Sequence, residues 1–147
     1  MILAVDQLRA DNIEKFKHQG SSGLRRLFDR GAWLRRAACP YMNTVTCPWH
    51  ATIATGSVPA IHGMVLNEWW DRAAHRGVPC TEDPSAPVIS YGRSVAGGES
   101  AARLRVMTTL ADEMRVQLNP APRIVTLSMK ARSAIMLAGQ RGDVVLW

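Results

Sequence analysis

A chain of 147 residues and 16.2 kDa, 47% hydrophobic and 20% charged, has the mix of a folded domain large enough to bury a core, which excludes a disordered tail, a collagen-like fibre and a coiled coil. No stretch approaches the ~18 consecutive apolar residues of a spanning helix, and the apolar start is cut short by Asp6, so neither a membrane anchor nor a signal peptide is expected. Eighteen basic against twelve acidic residues give +6, but fifteen of the cations are Arg, scattered from Arg9 to Arg141 with pairs only at Arg25-Arg26 and Arg35-Arg36; this reads as a solvated surface, not a specific nucleic-acid patch.

Met1-Ile-Leu-Ala-Val5 is a short continuous apolar run halted by Asp6, read as a buried parallel strand with a carboxylate at its C-terminal end, where open α/β sheets place ligands. Residues 12 to 19 are weakly helical. A break at Gly20-Ser-Ser-Gly23 precedes a second helix whose apolar face is Leu24, Leu27 and Phe28 and which Gly31 closes. Trp33 to Tyr41 is extended in character. The segment from Asn43 to Gly56 delivers a short helix, with Thr46 near its N-cap, Pro48 in its first turn and Gly56 beyond its end; Thr46 thus sits at a positive helix terminus.

Residues 71 to 98, rich in Gly, Pro, Ser and charge, read as a surface excursion or insertion and not as core. Leu104, Met107, Ala111, Met114 and Leu118 recur at three- and four-residue steps, predicting an amphipathic helix ended by Asn119-Pro120. Ile124 to Leu127 is a second buried strand, Ser133 to Ala138 a short helix closed by Gly139, and Val144 to Trp147 a further strand. The alternation implies α/β architecture with a mostly parallel sheet and helices on its faces. Cys39, Cys47 and Cys80 cannot all pair with one another and show no C-x-x-C spacing, so neither a disulfide scaffold nor a zinc knuckle is expected.

Three features fall where one pocket at the carboxyl edge of such a sheet collects them: Asp6, Thr46, and Lys130 with Arg132. Singly, each has a bland reading as a cap or a solvated charge; jointly they offer a carboxylate, a hydroxyl and two cations. The blocks around them, Val5-Asp-Gln-Leu-Arg-Ala-Asp11, Asn43-Thr-Val-Thr-Cys-Pro-Trp-His-Ala-Thr-Ile-Ala-Thr-Gly56 and Pro59-Ala-Ile-His-Gly-Met-Val-Leu-Asn-Glu-Trp-Trp-Asp71, resemble the opening of the alkaline phosphatase superfamily. The branch is that of the type I phosphodiesterase/nucleotide pyrophosphatases and the threonine-nucleophile alkaline phosphatases.

That resemblance implies a partial alkaline-phosphatase-like α/β sandwich in which residues 1–147 form the N-terminal portion of a longer catalytic domain, with an insertion at 71–98. It implies that Asp6 is a metal ligand and Thr46 the nucleophile, its oxygen also touching a metal. Asn67 then donates to a phosphate oxygen, while Lys130 and Arg132 grip a terminal phosphate. Two Zn2+ are the implied cofactors, because a threonine hydroxyl needs a metal to hold it as alkoxide at neutral pH. The implied function is hydrolysis of a phosphate monoester through a phosphothreonine, in the periplasm or outside the cell; the alternatives are a phosphodiesterase or nucleotide pyrophosphatase and a non-catalytic truncated remnant. The family's later ligand motifs have no counterpart here, so the chain by itself is expected to bind zinc poorly and turn over little. His50 and His62 are read as packing or turn-orienting residues and Cys47 as an inert thiol; His18, His75, Asp11, Trp69 and Trp70 carry no functional assignment.

Overall fold

The computed structural model describes residues 1–147 apart from Ala96, Val106 and Met107, and the chain divides into two units, Met1–Cys39 and Pro40–Trp147. An apolar run becomes a strand only where a neighbouring strand satisfies its backbone N–H and C=O groups. The first unit has no strand among its described residues: Met1 to Val5 runs irregularly into a turn at Asp6-Gln7, with Ile2, Leu3 and Val5 all at least half exposed. The expected first parallel strand is thus not formed. The other elements of the unit are helices, α1 (Ala10–Phe16, followed by a 3-10 turn at Lys17–Gln19) and α2 (Ser22–Arg30), which leave that run no partner.

Gly31 closes α2, its N–H donating to the Leu27 carbonyl at 2.8 Å. Leu24 and Leu27 stay exposed and neither helix buries a residue; Phe28 alone of the predicted face finds an aromatic partner, Trp33, at 5.6 Å between centroids. Surface ion pairs such as Arg25–Asp29 and Lys17–Glu14 contribute at most about 1 kcal/mol each. Trp33 to Tyr41 is irregular, with a turn at Arg35-Arg36.

The second unit holds the core. Its first helix, α3 (Thr46–Thr55), starts where Pro48 fits without forfeiting an internal hydrogen bond and ends at Gly56, whose φ of +66° suits a residue with no Cβ. A single turn, α4 (Pro59–His62), follows. Residues 71 to 98 then fall largely in two antiparallel hairpins. The first pairs β1 (Glu68–Asp71) with β2 (Arg76–Pro79) in the register Trp69↔Val78, and the second pairs β3 (Val88–Ser90) with β4 (Arg93–Val95). The first turn is built by Asp71, whose Oδ1 accepts from the Ala73 and Ala74 amides at 2.8 and 2.9 Å. Those amides, Ala74 first, hold its carboxyl below the usual carboxylate range. The segment is part surface and part core: Tyr91 is fully exposed, whereas Val78 and Cys80 are buried.

The helix predicted from Leu104 begins later, as α5 (Leu110–Gln117). Thr109 sets the start: its Oγ1 accepts the Asp112 N–H while Asp112 Oδ2 accepts the Thr109 N–H, a reciprocal cap that overrides the apolar periodicity upstream. Leu104 is buried ahead of the helix, and Met107 lies outside the described residues. Next come β5 (Val125–Leu127), α6 (Ala131–Ala138) and β6 (Val144–Leu146), with β5 and β6 parallel in the register Val125↔Val144. This α/β unit carries the expected parallel component; the other two ladders among the described residues are hairpins.

Helices α3 and α6 pack together around a cluster of Cys47, Ala51, Met64, Cys80, Ala101, Leu104, Ile135 and Met136, with Trp69 and Val145 against it. Within it Cys47 and Cys80, 33 residues apart in sequence and 6.7 Å apart at Cα, form a disulfide, which leaves Cys39 as the free cysteine. Two corrections follow. A disulfide is present where none was expected, and Cys47 is not a thiol.

Candidate active site

Thr46, 7% exposed, is the first residue of α3. A helix start leaves backbone N–H groups without intrahelical acceptors, and the residue before Thr46 is Val45, which has no side-chain acceptor to offer them. The acceptor comes from 20 residues along the chain: Asn67 Oδ1 takes the Cys47 N–H at 2.8 Å. An amide N–H only donates, so the oxygen of the Asn67 side chain faces the helix and its Nδ2 faces away. Asn67 itself is held by the sheet, since its carbonyl accepts the Cys80 N–H at 2.9 Å next to the β1–β2 ladder. The position one residue beyond Thr46 is therefore joined to Asn67 by a hydrogen bond and to Cys80 by a covalent bond.

His50, 3% exposed, lies one turn further along α3, with Nδ1 2.8 Å from the Thr46 carbonyl. A carbonyl only accepts, so Nδ1 carries the hydrogen and the imidazole braces the first turn. His62 is fully buried; its Nδ1 accepts the Met64 N–H at 3.1 Å, which places its hydrogen on Nε2, 3.1 Å from Thr52 Oγ1, and Thr52 in turn meets the Tyr41 hydroxyl at 2.7 Å. Burial pushes the His62 pKa down. Both histidines thus brace α3 and α4, in keeping with the sequence reading.

Lys130 is the N-cap of α6 and Arg132 its second residue. The Lys130 N–H donates to Ser128 Oγ at 3.2 Å, and its carbonyl accepts the Ser133 N–H at 3.0 Å. Arg132 Nε is buried and has no acceptor among the described residues, an uncommon state for a charged donor. The packing of α6 on α3 puts Thr46, Asn67, Lys130 and Arg132 in one unit. Asp6 lies in the first unit, at an exposed turn. A groove of about 980 Å³ in the second unit, lined by Val88, Ile89, Gln140, Asp143 and Trp147 among others, includes none of these five residues.

The arrangement offers a hydroxyl at the positive end of a ten-residue helix, an amide donor anchored beside it and two cations at the start of a second helix. Groups of these kinds have the chemistry that suits an anion with distributed charge. A resident metal is a different matter: no group of three or more His, Cys, Asp or Glu side chains able to hold an ion exists among the described residues. The ring nitrogens given above for His50 and His62 are engaged with protein groups, and Cys47 and Cys80 are spent on each other. The donors among the described residues therefore do not by themselves complete a zinc site. Sequence reasoning missed one member of the site's support, the disulfide, whose signal was a cysteine next to Thr46.

Residues 1–132 match the family described as type I phosphodiesterase / nucleotide pyrophosphatase, and the chain belongs to that family. Within reach of it stand several bacterial alkaline phosphatases. The chain is 38% identical, over 99% of its length, to alkaline phosphatase PhoK of a Sphingomonas species, and 34% identical, again over 99%, to alkaline phosphatase PafA of Elizabethkingia meningoseptica. It is 34% identical over 99% to alkaline phosphatase PhoV of Synechococcus elongatus. A crystal structure of wild type PafA is similar over 97% of the chain, with a TM-score of 0.85 at 32% identity. The chain spans about a quarter of these relatives' length, 26% of PhoK and 27% of PafA.

Proposed function

We propose that the chain carries the nucleophile and phosphate-gripping residues of a phosphate monoester hydrolase that works through a phosphothreonine at Thr46. The observation that carries this reading is the docking of Asn67 against the first turn of α3: its Oδ1 takes the Cys47 N–H, one residue beyond Thr46, which turns its Nδ2 donor away from Cys47. Arg132 supports it with a buried Nε whose natural acceptor is an anion. The relatives support it too. One solved structure of alkaline phosphatase PafA is a variant substituted at a threonine, an asparagine, a lysine and an arginine. The first two stand as far apart in that chain as Thr46 and Asn67 do here, and the last two are spaced as Lys130 and Arg132.

In this mechanism the Thr46 oxygen attacks phosphorus, the alcohol leaves, and water then hydrolyses the phosphothreonine. Asn67 Nδ2 donates to one non-bridging oxygen, while Lys130 and Arg132 neutralise the others. A monoester dianion gains more from two cations than a diester monoanion does, which favours the monoester. Zinc, when bound, would hold the Thr46 hydroxyl as alkoxide. Thr46 would contribute one ligand oxygen to such an ion; Asp6, in the other unit, is a metal ligand by the family resemblance alone, and the described residues supply no further group of ligands. The Cys47–Cys80 disulfide supports a periplasmic or secreted location, because such bonds persist in oxidising compartments, and no described helix is long and apolar enough to cross a membrane.

The matched family's own description favours a second reading, a phosphodiesterase or nucleotide pyrophosphatase. Turnover of p-nitrophenyl phosphate against bis(p-nitrophenyl) phosphate by the full-length polypeptide separates the two. The monoester reading expects the larger kcat/KM for the first substrate and fails if the second is preferred.

A further inference from the structure

We propose that the Cys47–Cys80 disulfide is a positioning element for catalysis, holding Asn67 between its two hydrogen-bond partners and so setting the aim of the Asn67 Nδ2 donor toward a phosphoryl group at Thr46. This rests on the reading of Thr46 and Asn67 given above. Three links close a ring: Asn67 Oδ1 accepts the Cys47 N–H at 2.8 Å, the Asn67 carbonyl accepts the Cys80 N–H at 2.9 Å, and a covalent bond joins Cys47 to Cys80. The two groups that grip Asn67, one at its side chain and one at its backbone, belong to the two residues the disulfide ties together.

Each half of the ring sits on a different element. Cys47 is in the first turn of α3, adjacent to Thr46, and Cys80 immediately follows β2. The sulfur-bearing residues are 0 and 1% exposed, packed with Met64, Leu104, Ile135 and Met136, so the bridge cannot swing independently of the core. Without it, the helix start and the sheet would be related through packing and the Asn67 hydrogen bonds alone. A small slide of β1–β2 against α3 would then turn the Asn67 amide. Displacing a positioned group by about 1 Å costs a reaction on the order of 100-fold.

A double-mutant cycle in the full-length polypeptide tests this, reading kcat/KM for p-nitrophenyl phosphate and the inhibition constant of inorganic phosphate. Replacing both cysteines, C47A with C80A, is expected to lower kcat/KM by at least about tenfold and to weaken inorganic phosphate. The same pair made in an N67A background is expected to change kcat/KM by less than about twofold, because the group being positioned is gone. Equal losses in both backgrounds, or no loss in the first, would overturn the proposal in favour of a purely structural bridge. Should the cysteine variant not fold, amide exchange in the unaltered chain decides: the Cys47 amide is expected to exchange as slowly as those inside α6, and exchange as fast as in exposed α2 overturns the ring. An unaltered polypeptide that turns over no phosphate ester would refute the proposed function instead, and the exchange measurement would still judge the ring.

Discussion

Asn67→Asp separates the observed acceptor role of this side chain from its proposed donor role, because the substituted residue is isosteric yet keeps only the acceptor. The Cys47 N–H would still find an oxygen at the position of Oδ1, now a charged one at the positive end of a ten-residue helix. Carboxylates at such ends gain about 0.3–1 kcal/mol, so folding stability is expected to hold or rise by that amount. Catalysis should move the other way. The variant loses the Nδ2 donor, and a hydrogen bond to a charged phosphate oxygen contributes about 1.5–3 kcal/mol. It also sets a carboxylate facing a dianionic substrate. Together these predict a fall in kcat/KM of at least about 100-fold, the size of a lost charged hydrogen bond of about 2.7 kcal/mol. The assay pairs urea unfolding with p-nitrophenyl phosphate turnover in the full-length polypeptide. A variant that loses stability and activity in parallel, or that keeps its activity, would refute the placement of the amide nitrogen toward substrate.

Lys130→Ala and Arg132→Ala should each reduce monoester kcat/KM by about 10- to 100-fold, with a smaller effect on a diester; equal effects on both substrates in steady-state kinetics would count against the phosphate-gripping role. Thr109→Ala removes the reciprocal cap of α5 and strips a hydroxyl donor 2.8 Å from buried Asp112, so denaturant unfolding should show a loss of about 2 kcal/mol, with an unchanged midpoint as the contrary result. Burial depresses the His62 pKa below its ordinary 6.5, so the unfolded chain binds the extra proton first on acidification. Its stabilising contribution is complete above about pH 6.5 and is lost as pH falls from there through the folded-state pKa. Melting curves at stepped pH should show this decline, and His62→Gln should flatten it.

Which elements could be read from the sequence follows from how local their causes are. Helix α3 was legible because Pro48 and Gly56 act within the helix they bound, and the end of α6 because Gly139 does the same. Runs of β-branched and aliphatic residues marked β5 and β6, and they pair with each other. Met1 to Val5 has the same composition but no partner strand in its unit, and composition does not reveal a partner. The start of α5 was hidden for the opposite reason: apolar spacing continues upstream of Thr109, while a two-residue hydrogen-bonded cap decides where the helix begins.

The site divides along the same line. Thr46, Asn67, Lys130 and Arg132 could be nominated from short blocks of sequence, because each belongs to a spacing that family resemblance makes visible. How Asn67 is held could not, since it depends on contacts with Cys47, 20 residues earlier, and with the start of the segment after β2. The disulfide was missed because three cysteines without short spacing leave the pairing undetermined, and only the core cluster shared by α3 and the residue after β2 brings two of them together.

Locating the phosphoryl group during turnover tests the central claim most directly. The full-length polypeptide is mixed with a phosphate monoester, quenched in acid within one turnover and digested for mass spectrometry. The account predicts a single phosphorylated residue, Thr46, and none in Thr46→Ala. Phosphate on another side chain, or product formed with Thr46 never modified, would contradict it.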